Sequence, residues 1–282
     1  MRASPAFLRV MRWFLVAMGG VSSATAQRLP HDQLVASLAN RKPALQLLQQ
    51  VESAYGHSVE VELVKGLGRR DMNSIEKGTP LIRIDSSHGL AQEIVVDELF
   101  HLQLKSEGWP TIEVQDTTGG KLQNRANFYI QTLWDQLENR VFFPKMHAMG
   151  FDPDAATRSL MKGFLAVPPA AKAINSEGFA VTYMQVILTG DKALSEQTVA
   201  WVQNRRNWAW GRGGNLDWSL AVGAQMAEAI QHSQQRPEPA LDTFLNCSTL
   251  LNKGQAPFRV LGWRPDVFKG GRLLRIEILP PP

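Results

Sequence analysis

The chain has 282 residues, 44% of them hydrophobic and 20% charged, an ordinary globular balance with ample length for a buried core. Its formal charge is +4, but Arg2, Arg9 and Arg12 supply three of the positive charges. Without them the balance is 4 − 3 = +1, so bulk charge gives no ground for a nucleic acid or an acidic membrane as partner.

The first elements concern export. MRASPAFLRVMR precedes the apolar run WFLVAMGGV and then SSATAQ, the layout of a signal peptide cut after Ala26 at Ala24-Thr25-Ala26. This predicts a periplasmic or secreted protein; an amphipathic N-terminal helix is the other reading. The apolar run is far short of the roughly 20 residues that span a bilayer, and no other segment reads as a transmembrane helix.

From His31 to about Tyr55 the apolar spacing is helical, and Pro43 divides it into two helices or a kink. Residues 58–65, SVEVELVK, alternate as a strand does. GLGRRDMNSIEKGT (66–79) reads as a loop, and PLIRID (80–85) as a second strand. A helix capped by Ser86 or Ser87 then runs to about Ser106, stopped by Gly108 and Pro110. Lys121 to about Phe143 is another, ended by Pro144. Five further segments, from FDPDAATRSLMKGFLAV to ALDTFLNCSTLLN, read mainly as helices, and FRVLGW with RLLRIEIL as a terminal β pair. The single cysteine, Cys247, cannot form an internal disulfide and reads as a small core residue.

Chemistry concentrates in EIVVDELFHLQL (93–104). Glu93, Asp97 and His101 are spaced i, i+4, i+8 and form one polar stripe on an otherwise apolar helix. Buried charge needs a partner, and a metal ion is one way to supply it. Glu138 lies on the following predicted helix, on a second polar stripe with Asn127 and Gln131.

DELFH, residues 97–101, resembles the His-Glu-x-x-His helix of the zincin metallopeptidases. In that family two histidines one turn apart bind zinc, and the glutamate is the general base. The gluzincin branch takes a third ligand from a glutamate on a following helix. The resemblance covers about residues 80–150, roughly a quarter of the chain, and the strand PLIRID before the helix suits it as the strand lining a substrate cleft. It implies Asp97, His101 and Glu138 as metal ligands, Glu98 as the base and Glu93 as a second-layer partner orienting His101. Asp97 departs from the pattern, standing where the first histidine should be. The Asp/His/Glu set carries two negative charges instead of one, which weakens the ion as a Lewis acid and favours manganese or iron(II) relative to zinc.

The expectation is therefore a mainly helical α+β protein: a signal peptide (1–26), a zincin-like domain (27–165) with a strand and an active-site helix pair, and a mostly helical C-terminal region (166–282). Its function would be a metal-dependent, peptidase-like hydrolase acting on a peptide or protein. The alternative is an inactive zincin-like binding or scaffold protein, with Asp97 and His101 forming only an i, i+4 pair.

Other features have plain structural readings. His88 sits by a cap, His147 in a loop and His232 at a helix C-terminus. The stretch 201–214, rich in Trp and Arg, could stack on sugars or bases or pack inward. A di-metal helical bundle needs two E-x-x-H motifs, and only ELFH is present. No G-x-S-x-G elbow, phosphate loop or Cys-x-x-Cys pair occurs.

Overall fold

A computed structural model describes residues 26–66, 72–116, 123–166, 175–205, 215–252, 258–265 and 272–278. In chain order the elements are β1 (Ala26–Leu29), α1 (His31–Leu38), α2 (Lys42–Tyr55), β2 (Glu60–Val64), β3 (Met72–Glu76), β4 (Thr79–Asp85), α3 (Gln92–Ser106), β5 (Thr111–Asp116) and α4 (Gln123–Ala148). Then follow α5 (Ala155–Leu165), α6 (Ser176–Leu188), α7 (Lys192–Arg205), α8 (Leu216–His232), α9 (Pro237–Leu251), β6 (Phe258–Pro265) and β7 (Arg272–Ile278). The protein is mainly helical α+β. None of its described helices is long and apolar enough to cross a membrane.

Two small sheets carry the strands. The first has the order β1-β2-β4-β3, with β2 parallel to β4 and the other pairs antiparallel. The second has the order β5-β7-β6, β5 running parallel to β7. The expected β pair at the end of the chain thus gains β5 as a third strand. The proposed cut after Ala26 falls inside β1, where Ala26 pairs with Val64; residues 1–25 lie outside the described residues.

Pro43 divides the first helical stretch, as the sequence suggested, and sits in the first turn of α2, where its missing N–H costs nothing. The segment expected as a loop over 66–79 contains β3. Lys77 and Gly78 join β3 to β4, both with positive φ (52° and 88°). That is the backbone of a two-residue hairpin turn whose twist matches the flanking strands. β4 is therefore an interior strand, and β3 is the edge of the sheet beside α3.

Helix α3 begins at Gln92, not at the serines. The Asp85 carboxylate accepts from the Ser87 N–H (2.9 Å) and hydroxyl (2.7 Å) and ties residues 85–88 into a turn instead. Helix α4 continues through Pro144 to Ala148. Proline cannot donate to the carbonyl one turn back, and the Arg140 carbonyl accepts from Gln235 Nε2 at 3.5 Å.

One hydrophobic core runs from Leu34 to Ile276 and draws on residues before and after the expected boundary at 165–175. A smaller cluster of Met161, Phe179, Val186, Leu194 and Val202 lies among α5, α6 and α7. Trp201 packs on it, its ring 5.1 Å from Phe164; the remainder of the Trp/Arg stretch, 206–214, lies outside the described residues. Cys247 is buried in the main core, as expected, and burial pushes its thiol up to about 12.

Candidate metal and acid–base centre

Helix α3 is apolar on nearly all sides, burying Val95, Val96, Leu99, Phe100, Leu102 and Leu104. It packs on α2, on β3 and β4, and on α4. Two polar residues of the motif are buried with that core, Glu98 at 6% and His101 at 8% exposure. Each must find partners inside the protein.

His101 finds them on two helices. Its Nδ1 lies 2.6 Å from Glu138 Oε2 on α4. Its Nε2 lies 3.6 Å from Asp97 Oδ2, one turn earlier on α3. Glu138 is itself buried, and its Oε1 accepts from Trp134 Nε1 at 2.8 Å. Phe142 stands edge-on to the imidazole, with ring centres 4.9 Å apart. Asp97, His101 and Glu138, three of the residues expected to meet, are thus brought together across 37 residues of chain.

Glu98 faces the sheet. Its Oε2 accepts from Asn73 Nδ2 on β3 at 2.5 Å, and Lys105 Nζ donates to Asn73 Oδ1. The lysine holds the amide oxygen, so the amide nitrogen is left to the carboxylate.

The local field follows from these contacts. Burial by itself disfavours the His101 imidazolium, but the hydrogen bond and charge of Glu138, with Asp97 and Glu98, outweigh it and raise the group to about 10. Burial raises Glu98 to about 7, opposed by the charge of His101 and the Asn73 hydrogen bond. Burial also raises Asp97 to about 6; the charge of His101 opposes this, while Asp135, Glu138 and Glu93 add to it.

The other expected residues stand elsewhere. Glu93 does not orient His101: its carboxylate accepts from the Asp152 backbone N–H near Arg41, and burial raises it. Gln131 is exposed, and the Asn127 side chain lies outside the described residues. His147 faces Asp154 at 3.3 Å, and His232 contacts the Glu228 carbonyl at 2.8 Å. Asn73 was missed by sequence reasoning because its strand was read as loop. The Lys77-Gly78 dipeptide ahead of TPLIRID, with glycine as a turn residue, was the available signal.

Two ligands about 2.0–2.2 Å from one tetrahedral ion stand about 3.3–3.6 Å apart. Asp97 Oδ2 and His101 Nε2 have that spacing. Among the described residues, however, no three His, Cys, Asp or Glu side chains are arranged to hold an ion. The described residues therefore offer one pair at ligand spacing and no complete protein-borne ion site. No family model, no curated protein and no solved structure matches this chain.

Proposed function

We propose that the α3–α4 cluster is the centre of a divalent-metal-dependent hydrolase of zincin type, acting on peptide bonds. Asp97 and His101 hold the ion, and Glu98 stands beside them as the base. The spacing of Asp97 Oδ2 and His101 Nε2 carries this reading. A zinc, manganese or iron(II) ion there supplies Lewis-acid polarisation. Glu98 takes and releases the proton at its carboxylate; its rise to about 7 suits a base working near neutral pH. Asn73 and Lys105 keep that carboxylate in one orientation. Export by the N-terminal segment, to the periplasm or beyond, accompanies this reading.

A second reading has its own observation. The cluster is satisfied without an ion: Glu138 by His101 and Trp134, Glu98 by Asn73, and His101 by two carboxylates. That is the pattern expected of a zincin-like scaffold that binds without catalysis. Metal content by mass spectrometry separates the two, on protein purified without chelator or histidine tag. About one ion per chain in the parent and none in His101→Ala supports the hydrolase, and Glu98→Ala should then keep its ion and lose peptidase turnover. No ion after dialysis against zinc and manganese leaves the scaffold.

A further inference from the structure

Lys105, Asn73 and Glu98 form a run of contacts between α3 and the edge strand β3. Glu98, Leu102 and Lys105 stand at i, i+4 and i+7 and share one face of α3. Glu98 is 6% exposed, and Leu102 is fully buried. Asn73 and Ile75 share a face of β3, and Ile75 is buried in the core that α3 helps to form. The Asn73 side chain is thereby turned to α3, 32 residues before Lys105.

Two groups of α3 meet on one carboxamide. Lys105 Nζ donates to Asn73 Oδ1 and lies 3.4 Å from the Asn73 backbone carbonyl oxygen. The side-chain oxygen it touches is one C=O bond, about 1.23 Å, from the carboxamide carbon. On the other side, Asn73 Nδ2 donates to Glu98 Oε2 at 2.5 Å. A primary amine, a carbonyl carbon and a carboxyl group are thus held together by the packing of β3 on α3. A lysine amine is a nucleophile once it gives up its proton. Holding it against its electrophile turns a bimolecular encounter into a unimolecular step.

We propose that Lys105 and Asn73 join in an intramolecular isopeptide bond, which the folded chain forms by itself with Glu98 as the proton-transfer group. Nζ attacks Cγ, the Cγ–Nδ2 bond breaks, and Nδ2 departs as ammonia. Glu98, in contact with Nδ2, gives a proton to the departing nitrogen and takes back one released from Nζ. In sum, a lysine ammonium and a carboxamide become a secondary amide and an ammonium ion, with no oxidant or cofactor consumed. The bond ties the edge strand β3 to the last turns of α3. The chain's single cysteine leaves it without an internal disulfide, and a cross-link of this kind restricts the unfolded chain in the same way. The step needs no ion and does not depend on the hydrolase reading above.

The test is intact-mass spectrometry of the denatured full chain, followed by tryptic digestion. The parent should be one ammonia lighter than Lys105→Arg prepared alike, once the mass of the substitution itself is allowed for. Its digest should contain a branched peptide joining residues 71–77 to 84–121, with Lys105 uncut. Lys105→Arg and Glu98→Gln should both give the linear peptides, and Lys105→Arg should melt at a lower temperature than the parent. A parent without the mass deficit overturns the proposal, and so does a deficit that maps elsewhere while these peptides stay linear. A branched peptide that persists in Glu98→Gln overturns the part given to the glutamate. The parent chain carries the decisive reading, so the test stands even where a variant fails to fold.

Discussion

In the folded chain, Asp97, Glu98 and His101 all hold protons more tightly than at their ordinary values of 3.8, 4.5 and 6.5. For each, the folded state binds more protons than the unfolded state between those values and the raised ones, so stability falls as pH rises through that window. For the two carboxyls the window runs from about 4 to about 7. For His101 it runs from 6.5 to about 10, and the stabilisation is fully present below 6.5. Melting temperature of the metal-free protein should therefore decline between pH 6.5 and 10, and His101→Gln should flatten that limb. A parent curve that is level or rising there would contradict the buried ion pair.

Among the elements, α6 and α8 approach so closely that Gly223 has no room for a side chain. A Cβ there would lie 2.7 Å from the Ala180 carbonyl oxygen, a backbone atom that cannot turn aside. Gly223→Ala gains roughly 1 kcal/mol of helix propensity, but forcing the helices apart costs about 1–3 kcal/mol. A net fall in melting temperature is expected. Gly178→Ala on α6 is the control: its Cβ would meet only Asn175 at 3.7–3.8 Å, an ordinary contact, and stability should hold or rise. Equal effects of the two substitutions would rule out the close approach as the cause.

Across the whole molecule, β7 joins distant parts of the chain. It pairs with β5 from the middle of the sequence, and its Leu274 and Ile276 are fully buried in the core that also holds Leu34 and Leu99. Deleting residues 266–282 removes those two side chains, each worth about 1.5–3 kcal/mol of burial, and takes the central strand away from both β5 and β6. That is a large part of a domain stability of about 5–15 kcal/mol. Circular dichroism should show a much lower or broadened melting transition; an unchanged one would mean that β7 is an appendage.

Local periodicity was enough to reveal α3 and α4 and to put Asp97 and His101 on one face; Glu138, which meets His101, was nominated by the gluzincin resemblance. Spacing along a helix is a property of consecutive residues, so it survives without knowledge of the fold. The same reasoning failed where long-range contacts decide. β3 is held as a strand by its pairing with β4 and by the Lys77–Gly78 turn, not by an alternating pattern of its own. Pro144 stays inside α4, where Gln235 from a later segment reaches the freed Arg140 carbonyl. Asn73 reaches Glu98 only because β3 lies along α3. The sequence by itself determined that Asp97 and His101 share one helix face. Only the tertiary structure decided that Nδ1 of His101 faces Glu138 and Nε2 faces Asp97, because ring orientation is set by Phe142 standing edge-on and by the Glu138 carboxylate that Trp134 holds, all on another helix.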